Sequence, residues 1–377
     1  MQKRNAAFKR RREKNYEKLP LTFYVFCGIT LVALVLYLIA VISPAFANAY
    51  NRTVGAAVRA LLAHLTSFLP VSLAEILLYL LPVGVVLVAV YAYRFRCETW
   101  RSMFVFLGSI LSACGLLFSL FVFGFGTGYH TDTLDQRLDL LPAAVDKESL
   151  YDTALWLVDE VNTAADGVNF GEDGFSKMPY GIEEMGDHLI AAYDPLCDRY
   201  PFVQRLDSTI KPVLASKLMS YTHITGVYSF FTGEANLNVA FPAYTLPYTA
   251  AHELAHQRGI ARENEANFVA FLVTSASEDA YIRYSGYLNL LEYVAAALYV
   301  VDSAGYEQIL SLLDDRVMGE LRAYSAFFDD YRDSPMATVS DAVNDTYLKL
   351  HGNTEGTASY GLVVELAVAY RQAHRTS

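Results

Sequence analysis

Long apolar runs fill the first third of the chain and give way to a mixed polar pattern after it. Residues 21–47 and 102–125 carry no charged side chain, and residues 71–93 carry only Glu75. A helix of about 20 apolar residues crosses the hydrocarbon core of a bilayer. The pattern therefore predicts three transmembrane helices within a membrane region over residues 21–125.

From residue 130 onward, apolar positions recur mostly at helical spacing. Residues 219–241 differ, because threonine, β-branched and aromatic residues form short runs there, which is typical of strands. We predict a second domain over residues 130–377 that is mainly α-helical with a small β-sheet. The glycines of residues 124–128 predict a flexible hinge between the two parts. The predicted helices cover residues 147–164, 182–193, 245–258, 261–275, 279–301, 306–331, 336–351 and 360–374.

The net charge of the chain changes from positive to negative near residue 124, where the apolar runs end. Residues 1–124 contain 13 Lys and Arg against 4 Asp and Glu, whereas the remaining residues contain 16 against 36. Such an acidic domain argues against a nucleic-acid partner, because a phosphate backbone needs a basic surface. Only Cys197 of the four cysteines lies in the acidic part. A disulfide scaffold or a cysteine-ligated metal is therefore not expected.

Two basic clusters predict the orientation. Eight Lys and Arg residues lie within the N-terminal segment 1–20, and Arg94, Arg96 and Arg101 separate the second and third runs. Positive residues mark the cytoplasmic side. We predict a multi-pass protein of the inner or plasma membrane, in contact with the lipid bilayer, with a cytoplasmic N-terminus and an extracytoplasmic C-terminal domain. Cleavage of the first run as a signal peptide, after the small residues near Ala47, is the alternative.

Residues 48–70 connect the first two apolar runs. Arg52, Arg59 and His64 stand there among apolar residues, which predicts an amphipathic stretch on the outer membrane surface. A lid over the membrane-proximal face of the C-terminal domain and a plain connector are both open.

The clearest chemical motif is His252-Glu253-Leu254-Ala255-His256, in a predicted helix that ends before Gly259. Residues four apart share one helix face, so both imidazoles point to the same side. Such a pair holds zinc in many metallopeptidases, with the glutamate beside the metal-bound water. An apolar setting makes the pair costly to bury without a metal. We predict a Zn²⁺ site in which Glu253 is the catalytic residue.

Two carboxylates follow the turn at Gly259. Glu263 and Glu265 lie roughly 200° apart on a helix, so only one can face the metal. Glu263 is favoured, and Glu265 stays open as an alternative ligand. Asn267 shares the face of Glu263 and is predicted to support a ligand histidine. Arg262 stands where a metzincin has its third histidine, which argues against that class.

Residues 263–270, Glu-Asn-Glu-Ala-Asn-Phe-Val-Ala, resemble the glutamate signature of ImmA/IrrE-type peptidases and, more loosely, that of HtpX-related membrane peptidases. The resemblance implies that Glu263 is the third zinc ligand. In those families the two motifs are usually much farther apart, which keeps Glu265 open.

Nearly the whole chain is similar to a bacterial family of uncharacterised three-span membrane proteins. The resemblance implies the three-span topology and the metal site rather than a substrate. The shared segments are residues 231–236, 251–259, 263–268, 284–287, 343–349 and 359–361.

Upstream of the motif, residues 233–238 predict either an edge strand or a turn that closes the small sheet. An edge strand could bind a peptide substrate by strand addition. The candidate substrate-contacting residues are Glu234, Asn236 and Asn238.

The donor for a developing oxyanion is open, because zinc peptidases use Tyr, His or Arg for it. The chain has 27 tyrosines, so packing is the alternative role of each one. The candidates are Tyr284, Tyr287, His351 and Tyr360.

Together these features predict three membrane helices followed by a zincin-like, mostly helical domain. The expected activity is zinc-dependent hydrolysis of peptides or proteins near the membrane. A catalytically silent zinc-binding sensor or scaffold is the first alternative, although it would not need Glu253. A transporter component is the second, and the lack of charges in the spans beyond Glu75 argues against it.

Overall fold

A computed structural model of the chain describes residues 18–95, 99–350 and 360–375. Most of the predicted basic N-terminal segment, residues 1–17, and the candidate His351 lie outside these residues. The described part is mainly α-helical, has two small sheets, and carries three long apolar helices near the N-terminus. The predicted mainly α fold with an N-terminal membrane region and a small sheet is confirmed.

Three helices are long and apolar enough to cross a membrane. The first ends earlier than predicted, because Pro44 begins a new helix, α2 (Pro44–Tyr50), whose first turn is capped by the Ser43 hydroxyl. The first and third spans pack along each other, whereas the second is exposed on every face over residues 76–81 and meets the third through Tyr91 and Phe106. The spans are α1 (Leu21–Ile42), α4 (Leu73–Phe95) and α5 (Trp100–Gly124).

The segment between the first two spans is helical. After α2 comes a π-helical turn, Asn51–Gly55, and then α3 (Ala56–Ser67). Helix α3 ends shortly before α4 begins, so both ends of the segment are tied to membrane spans.

The remaining helices form one domain around a large apolar core, in which α7 and α12 pack most extensively. The predicted helix over residues 306–331 is divided in two, because the Asp314 carboxylate caps a new helix by accepting the Arg316 N–H. These helices are α6 (Leu134–Arg137), α7 (Lys147–Ala165), α8 (Ile182–Arg199), α9 (Ser216–Ser220), α10 (Thr245–Gln257), α11 (Glu263–Ser275), α12 (Ala280–Val301), α13 (Ser303–Ser311), α14 (Asp315–Asp329), α15 (Pro335–Leu350) and α16 (Tyr360–His374).

The larger sheet has three strands in the order β3-β5-β4, with β5 parallel to β3 and antiparallel to β4. Strand β5 is therefore central, and each of its residues is buried. The prediction that residues 233–238 form an edge strand for a substrate is wrong. The strands are β3 (Lys211–Pro212), β4 (Gly226–Ser229) and β5 (Glu234–Leu237), and β1 (Asn169–Phe170) pairs with β2 (Ser176–Lys177) in the smaller sheet.

Two carboxylates join the large sheet to the second span. The buried Glu234 carboxylate accepts the N–H groups of Leu73 and Ala74 at 3.0 and 2.8 Å and pairs with Lys211 Nζ at 2.9 Å. In return, Glu75 in the first turn of α4 accepts two backbone N–H groups of the β3–α9 connection at 2.8 Å each. The sheet thus caps the first turn of α4, where a carboxylate is favourable.

A fully buried arginine joins the spans to the rest of the molecule. Arg59 of α3 donates to the Asn51 side-chain and main-chain oxygens, to Gly124 O at 3.0 Å and to Gln204 Oε1 at 3.1 Å. The Asn51 amide in turn donates to Gly259 O at 2.9 Å. Burial lowers the pKa of Arg59 to about 10, so the guanidinium stays charged at neutral pH. Its charge is balanced by carbonyls at helix ends, which carry partial negative charge.

The predicted hinge at residues 124–128 is wrong. Gly126–His130 forms a 3₁₀ turn in which the first four residues are buried. A Cβ at Gly128 would lie 3.0 Å from the Ala261 side chain. The glycines serve close packing between the exit of α5 and the turn after α10.

We expect Glu234→Ala to lower the free energy of unfolding by about 3–5 kcal/mol, because it leaves Lys211 charged and buried without its partner. Chemical denaturation in detergent micelles measures this loss. The matched control is Arg205→Ala, which removes half-exposed ion pairs and should change stability by less than about 1 kcal/mol. Equal losses for both variants would contradict the assigned role of Glu234.

Candidate metal centre

Helix α10 carries the motif histidines and ends in a tight turn. Pro247 lies in its first turn, and Tyr244 is the N-cap. Gly259 follows the helix with φ +97°, a conformation that favours glycine. The Ile260 N–H then bonds back to Ala255 O at 3.1 Å. The turn reverses the chain, so that α11 begins at Glu263 beside the histidines.

Three side chains converge at this turn. His252 Nε2 lies 3.0 Å from His256 Nε2 and 3.1 Å from Glu263 Oε2, and His256 Nε2 lies 3.4 Å from the same oxygen. Zinc bonds of about 2.0–2.1 Å in a tetrahedron separate two ligand atoms by about 3.3 Å. These residues therefore fit a tetrahedral Zn²⁺ with one open position. Among the described residues they are the one such group of potential metal ligands.

The charges of the centre favour a cation. Burial acts to raise the pKa of Glu263, but His256 and the hydrogen bonds from both histidines hold it well below its usual range. Burial acts to lower the pKa of His256, but the Glu263 carboxylate raises it to about 9. The positive charge of His256 thus balances the Glu263 carboxylate at neutral pH.

The orientation of each imidazole is set by its Nδ1 atom. His256 Nδ1 lies 2.7 Å from Ile260 O and donates to it, which leaves Nε2 free for a metal. The His256 ring also packs against Phe125, at 5.8 Å between centroids, at the end of the third span. His252 Nδ1 is buried without a hydrogen-bond partner. The centre is therefore held against the end of a membrane span.

Glu253 lies on the same side, under strand β4. The Tyr228 N–H donates to its carboxylate, while its Oε2 atom is buried without a partner. Burial raises the pKa of Glu253 against the opposing charges of His252 and His256. A Cβ at Gly226 would lie 2.6 Å from Glu253 Oε1, so β4 passes this close only because residue 226 is glycine.

Glu265, the alternative ligand, faces away from the histidines. Its carboxylate pairs with Arg137 and Arg262 and accepts the Leu134 N–H at 2.9 Å. Glu265 is therefore a structural ion-pair residue, and the hypothesis that it binds the metal is wrong. Glu265 lies about half a helical turn from Glu263 on α11, so the two side chains point in opposite directions. The chain reversal after Gly259 places the Glu263 side of α11 against α10, and Glu265 therefore faces away from the histidines.

Asn267 lies on the face of Glu263 as predicted, and Tyr248 donates to its main-chain oxygen at 2.9 Å. The support of a ligand histidine by its side chain stays a prediction. The predicted substrate residues Asn236 and Asn238 instead hold the sheet: their amides donate to Val227 O and Ile224 O at 3.1 and 3.0 Å.

The two oxyanion candidates whose side chains the structure describes, Tyr284 and Tyr287, do not meet the centre. Tyr284 is buried in the domain core and donates to Glu320. Tyr287 packs against Trp156 and Phe271. Both tyrosines are packing residues, and the side chain of Tyr360 is not among the described ones.

Sequence reasoning missed the residues that contact the centre from outside its motifs. Gly226 and Tyr228 belong to a strand region that was predicted without a register. Phe125 and Asn51 lie in or beside an apolar run. The sequence there does not distinguish a residue that contacts the site from a residue that contacts lipid. Arg59 was noticeable as a charge within an apolar stretch, and this signal could have identified it.

A family model matches residues 50–368, and its description is "Protein of unknown function (DUF3810)". The chain belongs to this family. The match confirms the predicted membership in an uncharacterised family, whereas the likeness to ImmA/IrrE-type and HtpX-related peptidases stays a prediction. The family region includes the Arg59 contacts and every residue of the centre, and it leaves α1 outside. No curated protein and no solved structure matches the chain significantly.

Loss of a residue that only supports a zinc ligand lowers zinc affinity by about 10–100-fold. We expect Glu263→Ala to lower the affinity by more than this, because the variant loses a direct ligand. Glu265→Gln is the matched control one-half turn away, and it should keep the metal. Zinc content after dialysis and competition with a chromogenic chelator measure both. Loss of zinc in Glu265→Gln with retention in Glu263→Ala would reverse the assignment.

Zinc affinity should depend on pH through His256. Its pKa of about 9 in the metal-free centre means that zinc displaces a proton at neutral pH. The apparent affinity should therefore rise by about tenfold per unit between about pH 6 and pH 8 and level off above about pH 9. Calorimetric titration in buffers of different ionisation enthalpy counts the released protons. An affinity that stays constant over that range would exclude a proton-for-metal exchange.

Proposed function

We propose that the protein is a membrane-anchored, zinc-dependent metallopeptidase that hydrolyses peptide bonds. The observation that carries the proposal is the convergence of His252, His256 and Glu263 with a fourth group, Glu253, buried beside them. Three protein ligands leave one position of a tetrahedral zinc for water, as catalytic sites require. Structural zinc, as in a silent sensor, would have no need of a carboxylate kept free beside the metal.

In this reaction a bound Zn²⁺ would polarise the scissile carbonyl and lower the pKa of its water. Glu253 accepts a proton from the water as its oxygen bonds to the carbonyl carbon. The same carboxyl would then give this proton to the amide nitrogen as the C–N bond breaks. The proton left on the former water oxygen would pass to the released amine, so the products are a carboxylate and an ammonium ion. The raised pKa of Glu253 suits both transfers.

Strand β4 is the element that could hold an extended substrate. It is the outer strand of its sheet on the side of Glu253, and its residue pairing with β5 leaves its other edge without a strand partner among the described residues. The Tyr228 N–H points away from β5 toward Glu253. A peptide that added along this edge would bring a carbonyl next to the centre.

The position of the centre supports substrates close to the membrane. His256 packs on Phe125 directly after the last residue of α5. The basic clusters at the N-terminus and between the second and third spans support a centre on the extracytoplasmic side of the inner or plasma membrane. Peptides or proteins at that surface are the substrates we propose.

Glu253→Gln should keep zinc and reduce peptide cleavage by at least about 10²–10⁴-fold, the usual contribution of a general base. Purified wild type and variant are compared in vesicles for zinc content and for release of new amino termini from a peptide library. Gly226→Ala, which crowds the same carboxylate, is expected to act in the same direction.

Two outcomes would contradict the proposal. Equal cleavage by wild type and Glu253→Gln would remove Glu253 from the reaction. Zinc bound to wild type without any cleavage would favour the zinc-binding sensor instead.

A further inference from the structure

Helix α3 has an inverted distribution of polar and apolar side chains. Its exposed side chains include Leu61, Leu65 and Phe68, at 58%, 53% and 76% exposure. The opposite face buries Arg59 and Thr66. In a water-exposed helix the apolar side would face the protein and the polar side the solvent. One exposed face of α3 is therefore apolar, with the exposed His64 and Ser67 beside it.

The spacing of these residues places them on one face. Leu61, Leu65 and Phe68 follow each other at intervals of four and three residues, and Val54 precedes Leu61 by seven. Such intervals mark a single helical stripe. We define the exposed stripe of Val54, Leu61, Leu65 and Phe68 as the apolar stripe.

The chain on both sides of α3 fixes where this stripe lies. Helix α2 begins two residues after α1 ends, and α4 begins six residues after α3 ends. Lys211 Nζ, which pairs with Glu234 at the start of α4, also donates to Thr66 O at 2.6 Å. Helix α3 is thus held at the domain-facing ends of two membrane spans, where the lipid headgroups begin.

We propose that α3 is an interfacial helix whose apolar stripe inserts into the leaflet on the side of the helical domain. The occupant of the stripe is lipid, because α3 lies between two apolar spans in the chain and the exposed leucines of α4 begin shortly after the stripe ends. Helices of this kind bury their apolar face about 5–10 Å into the boundary between headgroups and acyl chains.

The buried face of α3 gives this position a consequence for the metal centre. Arg59 and Asn51 contact the C-terminal end of α10 through Gly259. The helix that carries the histidines therefore ends about one helix diameter, about 10 Å, from the lipid-contacting stripe. Lipid contact by α3 sets the distance between the candidate metal centre and the membrane surface. This inference does not depend on the proposed reaction.

Single cysteines at Leu61, Leu65 and Phe68, in the full-length chain with its own cysteines replaced, can carry an environment-sensitive fluorophore. In phosphatidylcholine vesicles with nitroxide-labelled lipids, we expect about half or more of the fluorescence at each position to be quenched, most strongly by nitroxides near the carbonyl end of the acyl chains. The matched control is Leu312, an exposed leucine beside α7. It should be quenched by aqueous iodide and not by the labelled lipids.

A second measurement uses the unaltered protein. A photoactivatable phosphatidylcholine in the same vesicles should modify the peptide that covers residues 54–68 and leave the peptide around Leu312 unmodified. Quenching of the stripe by iodide alone would overturn the proposal, because the stripe would then face water. Shielding from both quenchers, without photolabelling, would also overturn it, because a protein would then cover the stripe.

Discussion

The hydrogen bonds of the buried Arg59 guanidinium determine how the membrane spans and the candidate metal centre are placed relative to each other. It has no carboxylate partner among its contacts and is neutralised by main-chain and amide oxygens, including the last carbonyl of α5. Through Asn51 it also binds the carbonyl of Gly259, whose backbone ends the histidine-bearing helix. A charge surrounded by helix C-termini draws the partial negative ends of several helices to one point. The spans, the connecting helix and α10 are thereby held in one fixed arrangement.

The buried polar groups near Arg59 are of two kinds, which differ in how completely they are hydrogen-bonded. Glu234 and Glu265 each accept hydrogen bonds at both carboxylate oxygens, and they hold the sheet and the turn after α10 in place. The centre itself is left incomplete: His252 Nδ1 and one oxygen of Glu253 are buried without partners. Unpaired buried polar atoms are costly unless something compensates for them. Strong pairing in the surroundings lets the protein keep reactive groups free in the middle.

The sequence was most informative where one physical signal dominates. Charge-free runs predicted the spans, and helical periodicity with Gly259 predicted α10 and its end. The choice between Glu263 and Glu265 could not be made from periodicity, because it depends on the geometry of the five-residue connection between α10 and α11. The glycines at residues 124–128 predicted flexibility, although they are there for close packing. Strand β3 has two residues and no pattern of its own, so the central position of Glu234 to Leu237 was hidden.

The polar contacts between the two parts of the chain also impose an order on biosynthesis. Asn51 finds its carbonyl partner 208 residues later, and Leu73 finds Glu234 161 residues later. Contacts between such distant residues form only after the intervening chain has been made. A nascent chain that has inserted all three spans still holds Arg59 without Gln204 and α4 without its cap. The membrane region is therefore completed only when the histidine-bearing helix docks onto it, so a partly made chain keeps these polar groups without their partners.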